Sequence, residues 1–159
     1  MKLLRQAIRR LITESSEHVC DDFILELDKR FRKTVNRHQY ENYVKDFPDG
    51  CEVHFQMEAL EYTNVYFLGV ETVGDDCVKK GYARDTLQSI FDLADEMGIW
   101  ILGTVEPFEP TEGSGDRPDE QELINFYRSM GVKIVDGTDL ERAPQKPKSS
   151  TRLPHLAAK

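Results

Sequence analysis

No apolar run in this chain of 159 residues approaches the ~20 consecutive residues that a membrane-spanning helix requires, so none is expected. The start, Met1 to Arg10, is broken by Lys2, Arg5, Arg9 and Arg10 and lacks the apolar core of a secretory signal. Cysteine is scarce. Cys20, Cys51 and Cys77 are odd in number and widely separated, without pairing logic or metal-ligand spacing, which argues against a disulfide scaffold or a metal module. A reduced, cytoplasmic setting is therefore expected. Positive charge is short as well: the formal net charge of −8 argues against general nucleic-acid binding and mildly favours a cationic substrate.

What is present fits one ordinary globular domain, since 39% hydrophobic and 31% charged residues are enough for a core and a solvated surface. Leu3, Leu4, Ala7, Ile8, Leu11 and Ile12 recur at helical spacing opposite basic residues. Such a helix is either a docking arm for a membrane, nucleic acid or partner, or a terminal helix laid on the domain; the second is expected. Residues 17–46 read as a helix followed by a second, short helix near His38 to Lys45. The expected organisation is thus an N-terminal helical region, 1–50, packing on a core formed by 51–159.

Phe47-Pro48-Asp49-Gly50 is a turn, and Cys51, Val53, Phe55 and Met57 then alternate with polar residues as a strand does. A turn at Glu61 to Asn64 leads into a strand over Val65 to Val73. Ala83, Leu87, Ile90, Phe91, Ala94 and Met97 share one face of a helix that Gly98 stops. Ile99 to Leu102 is a buried strand expected to run parallel to the previous one. A helix begins at Pro118 and ends at Gly131, Val132 to Val135 is a strand, and Ser149 to Leu153 reads as a return strand.

The junction between the strand ending at Val73 and the helix after Gly81 carries the chemistry. A glycine-bearing loop at a helix start offers free N–H groups and a positive dipole end to a phosphate. The Lys-Ser/Thr pair of a P-loop is missing.

The run Val73-Gly74-Asp75-Asp76-Cys77-Val78-Lys79-Lys80-Gly81-Tyr82-Ala83 and the later Phe126-Tyr127-Arg128-Ser129-Met130-Gly131-Val132 resemble the two motifs of the GCN5-related N-acetyltransferase (GNAT) family. The spacing from Val73 to Gly81 and Ala83 agrees. Val78 stands where the family has Arg or Gln, Lys79 where glycine is common, and Val132 where Phe is usual. With Arg152-Leu153-Pro154 near the end, the likeness is to small bacterial and phage members, over about Glu52 to Pro154. For a phage-encoded chain the setting would be the host cytoplasm.

The resemblance implies an α+β fold in α/β/α layers, a mainly antiparallel mixed sheet with a splayed central parallel pair. It implies acetyl-CoA as co-substrate and no metal. The expected cofactor-binding residues are Thr72, Val73, Val78, Lys79, Lys80, Gly81, Tyr82, Ala83 and Arg84, with loop amides cradling the pyrophosphate. Lys79, Lys80 and Arg84 are cations at the helix end that disfavours them, which a bound anion would explain. The oxyanion would take an N–H from a strand bulge near Thr72 or Val73. Tyr127 is the expected general acid for the departing thiolate, and Glu71 the first choice of base, ahead of Glu58, Glu61, Glu106 and His54.

The activity implied is acetyl transfer to a primary amine of a small molecule or protein. The alternative is a catalytically silent module that binds a protein partner. The acceptor is not specified by residues 17–50 or 106–117, although Glu106, Glu109, Glu112 and Asp116 would suit a polyamine or basic peptide. Oligomeric state stays open, a homodimer included.

Overall fold

The computed structural model describes residues 3–8, 19–36, 38–74, 76–106 and 118–145. Helix α1 (residues 3–8) and helix α2 (Val19–Arg30) precede strands β1 (Arg32–Val35), β2 (Glu41–Asp46), β3 (Glu52–Ala59) and β4 (Asn64–Val73). Helix α3 (Tyr82–Met97), β5 (Trp100–Thr104), α4 (Glu120–Ser129), β6 (Lys133–Val135) and β7 (Asp139–Arg142) follow. The described strands form one sheet in the order β1-β2-β3-β4-β5-β7-β6. Only β4 and β5 pair in parallel; the other pairings are antiparallel. The fold is α+β, with a mixed sheet around one central parallel pair.

Alternation places Phe55, Met57, Val65, Phe67, Ile101 and Leu140 on one face, where they join a single core with α2, α3 and α4. Helix α2 contributes Cys20, Phe23 and Leu27 at helical spacing, and α3 contributes Leu87, Ile90, Phe91 and Ala94. Helix α3 ends as its sequence requires: Gly98 adopts φ 70°, a left-handed cap open to glycine. Asp119 caps α4, its carboxylate accepting from the Glu122 N–H at 2.8 Å.

Several expectations are corrected. The helix placed near His38 to Lys45 is strand β2, and β1 precedes it, so residues before 50 extend the sheet. The side chain of Asn36 accepts from the N–H groups of His38 and Tyr40, which nucleates the β1–β2 turn. Asn42, Tyr43 and Val44 are all buried, so β2 shows neither a clean alternation nor a helical stripe. The polar member is satisfied: Gln56 donates to Asn42 from the facing position of β3.

The expected packing of the first helix on the domain is not seen in its described part, where Leu3, Leu4 and Ile8 are exposed; Leu11 and Ile12 lie outside the described residues. Cys51 and Cys77 form a disulfide, against the expectation of unpaired cysteines. Their pairing follows from the sheet register. Glu52 faces Val73 across β3 and β4, so the residues flanking those strand ends meet although 26 positions separate them. The return strand expected at Ser149 to Leu153 lies outside the described residues, and β7 occupies Asp139–Arg142 instead.

Candidate functional site

The central parallel pair is short. β4 and β5 are in register from Asn64 with Trp100 to Phe67 with Gly103. Beyond that point β5 stays with β7, the Val105 N–H donating to the Thr138 carbonyl, while among the described strands β4 runs on to Val73 beside β3 alone. The two strands therefore part after Phe67 and Gly103. Contact at the parting point is close: a Cβ on Gly103 would sit 2.5 Å from the Phe67 carbonyl oxygen. The Tyr66 hydroxyl and Thr104 Oγ1, 3.1 Å apart, bridge the strands on the opposite face.

A bulge marks the same point. The β3–β4 register shifts between Gln56 and Met57, leaving Leu68 without a partner residue and 38% exposed. This corrects the expected position of the bulge. Thr72 and Val73 are regularly paired, with Val53 and Glu52, so any bulge-derived N–H belongs to the region of Leu68 and Gly69.

The loop from β4 enters α3 through residues in left-handed conformations: Asp76 at φ 55°, Lys79 at 68° and Gly81 at 82°. Gly81 is the cap residue, and among the described residues no side chain caps the helix. The first-turn N–H groups, which have no intrahelical acceptors, are thus left for another partner. Val78, Tyr82 and Ala83 flank this point.

The cations of the loop are differently placed from one another. Lys80 Nζ lies 3.1 Å from Asp49 Oδ2, and the Tyr82 hydroxyl donates to the same carboxylate. These bonds, with the Cys51 N–H, hold Asp49 down at about 2, the Tyr82 hydroxyl contributing most. The Arg84 guanidinium lies 5.2 Å from the centre of the Phe126 ring and donates to Ser129 Oγ at 2.8 Å. Lys80 and Arg84 thus have local partners, and their presence does not by itself require an anion. Lys79 forms no ion pair or hydrogen bond with a described residue.

Arg84 ties the first turn of α3 to the last turn of α4 and so brings Tyr127 into the same neighbourhood. Tyr127 is buried, edge-on to Phe67 at 6.0 Å between ring centres and to Phe126 at 5.4 Å. Its hydroxyl forms no hydrogen bond with a described residue. Burial raises its pKa, which keeps the phenol protonated.

Glu71 lies beyond the bulge, directly opposite His54 and on the same face of the sheet. His54 Nε2 is 2.7 Å from Glu52 Oε2, and Glu52 Oε1 accepts from Arg32, which also holds Asp46 with two bonds. The face bearing the first-choice base therefore also bears a linked Arg32–Asp46–Glu52–His54 network, which sequence spacing alone did not reveal. Glu58 faces Tyr66 across β3 and β4, next to the parting point, and Glu61 lies in the β3–β4 turn. Glu106 follows the end of β5, and Glu109, Glu112 and Asp116 lie outside the described residues.

Among the described residues no group of three or more His, Cys, Asp or Glu side chains could hold a metal ion, and no helix is long and apolar enough to cross a membrane. No protein-family model matches the chain, and no curated protein matches it significantly.

Proposed function

We propose that the parting of β4 and β5 receives the thioester arm of acetyl-CoA, and that the chain transfers the acetyl group to a primary amine. One set of contacts carries the reading: the strands part beside Phe67, the Tyr127 ring packs on Phe67, and Arg84 ties the uncapped start of α3 to the helix that carries Tyr127. The strand–loop–helix–strand order, the single parallel pair, its splay and the adjacent bulge are features the GNAT resemblance implies. An uncapped, left-handed helix entry suits a pyrophosphate bound by amides, for which backbone shape matters more than the Val78 and Lys79 side chains.

In this reading the acceptor amine approaches from the face that carries Glu71 and His54. A neutral amine attacks the thioester carbonyl, one of these groups or a relayed water takes its proton, and an N–H near Leu68 or Gly69 meets the oxyanion. Tyr127, kept protonated by burial, donates to the departing thiolate. Lys79 supplements the amides, while Lys80 and Arg84 shape the loop and the α3–α4 contact.

Calorimetric titration with acetyl-CoA tests the proposal. Saturable binding at micromolar to sub-millimolar ligand, followed by acetylation of some amine in a mass-spectrometric screen, is the expected result. No heat at millimolar ligand overturns it. Binding without transfer to any amine favours the silent module, a reading that also draws on the exposed Leu3, Leu4 and Ile8 of α1.

A further inference from the structure

Three contacts fasten the β2–β3 turn to the loop that enters α3. Cys51 is bonded to Cys77. Asp49 accepts from Tyr82 and pairs with Lys80. Phe47 stacks on the Tyr82 ring at 3.9 Å between centres, the planes 17° apart. Gly74 is shaped by the first of these, since a Cβ there would lie 2.6 Å from the Cys77 sulfur at a φ of 124°.

The two sides of this fastening differ in their own order. Residues 76–81 belong to no helix or strand and include two non-glycine residues, Asp76 and Lys79, held at positive φ. Such conformations are unfavourable for residues other than glycine and persist only when surroundings impose them. Neither cysteine lies within a strand or helix. Freeing Cys51 opens turn bonds: Phe47 N–H to the Cys51 carbonyl, Gly50 N–H to the Phe47 carbonyl, and Cys51 N–H to the Asp49 carboxylate. Both sulfurs are buried, so a reductant reaches them through that local opening rather than through unfolding of the sheet.

We propose that the Cys51–Cys77 disulfide is a redox latch that holds the α3-entry loop in its phosphate-binding shape and releases it on reduction. The cofactor half of this inference rests on the acetyl-CoA reading above; the loop half does not. A dithiol is the reductant. Its thiolate attacks one sulfur of the bond to give a mixed disulfide, and its second thiolate displaces the protein sulfur. Two electrons and two protons leave the dithiol as a cyclic disulfide, and Cys51 and Cys77 become thiols. The loop then loses its covalent tie while keeping the Asp49 and Phe47 contacts, and its left-handed residues relax.

The test compares oxidised protein with protein treated with dithiothreitol and with the Cys51→Ser/Cys77→Ser double variant. Thiol titration should count one thiol before reduction, Cys20 in the unfolded chain, and three after it. A count of three after incubation with oxidised glutathione overturns the latch. Amide exchange across 76–81 should quicken about tenfold or more on reduction, while β3 and the body of α3 keep their protection. Equal exchange overturns the latch. So does loss of the cooperative unfolding transition in both the reduced protein and the variant, because the bond would then be a staple of the whole fold. Acetyl-CoA should bind the reduced form about tenfold more weakly. Equal affinity in both states overturns the control of binding. Loop release with no binding in either state leaves the latch standing and removes the acetyltransferase reading.

Discussion

Arg142 grips Asp95 with two parallel hydrogen bonds, Nη1 to Oδ1 at 2.7 Å and Nη2 to Oδ2 at 2.9 Å, joining β7 to the end of α3. The guanidinium also lies 4.5 Å from the centre of the Phe91 ring, and the same carboxylate accepts the Gln145 N–H. Both side chains are largely buried, at 6% and 16% exposure. Removing either partner leaves the other charge stranded in a place poor in water. Arg142→Ala and Asp95→Ala are each expected to cost about 3–5 kcal/mol in urea unfolding. A loss below about 1 kcal/mol would mean that the pair is solvated and weak.

The Asp49 carboxylate gives the fold a specific acid sensitivity. Its pKa in the folded chain, about 2, lies below the ordinary 3.8. A lowered carboxylate pKa contributes stability that is fully present above the unfolded value and is lost as pH falls through the folded one. The melting temperature of the wild type should therefore exceed that of Asp49→Asn by a constant margin above about pH 5, and the margin should shrink between about pH 4 and 2. A margin that stays constant down to pH 2 would show that the Tyr82 and Lys80 contacts do not depend on the charge.

How far this was legible in the sequence follows from how local each signal is. Helix α3 was readable because its stripe from Ala83 to Met97 and its stop at Gly98 lie within one stretch of chain. β3 was readable from its alternation at Val53, Phe55 and Met57. The β1–β2 hairpin was not, because β2 buries three successive residues, one of them polar, and the partner that makes Asn42 tolerable is Gln56 on another strand. The disulfide was hidden for a related reason: only the register of Glu52 against Val73 brings Cys51 to Cys77. At the candidate site, the loop glycine and Tyr127 were visible as residue types in a pattern. The partners of Lys80 and Arg84, Asp49 and Phe126, become visible only once distant segments are folded together.

The parting of β4 and β5 can be probed without touching any polar side chain. Gly103→Ala would drive a methyl group against the Phe67 carbonyl oxygen, a backbone atom that cannot swing aside. Strand separation at the last parallel pair is the expected relief, at a cost of about 1–3 kcal/mol in thermal or urea unfolding. An unchanged unfolding midpoint would show that the strands already stand further apart there.

Tyr127→Phe separates chemistry from packing. The ring stays wedged against Phe67 and Phe126, and no described group loses a hydrogen-bond partner, so stability should change by less than about 0.5 kcal/mol. Acetyl-CoA affinity should hold within about twofold, because in the proposed reaction the hydroxyl acts on the leaving sulfur and not on the phosphates. Turnover should fall about 10²–10⁴-fold, the usual range for a lost general acid. Since burial raises the phenol's pKa, no loss of activity through its deprotonation is expected near neutral pH in the wild type. Steady-state kinetics beside calorimetry on the same preparations decide the matter. Undiminished turnover would remove Tyr127 from the reaction and leave it a core aromatic, and a large drop in affinity with turnover intact would assign the hydroxyl to holding the cofactor.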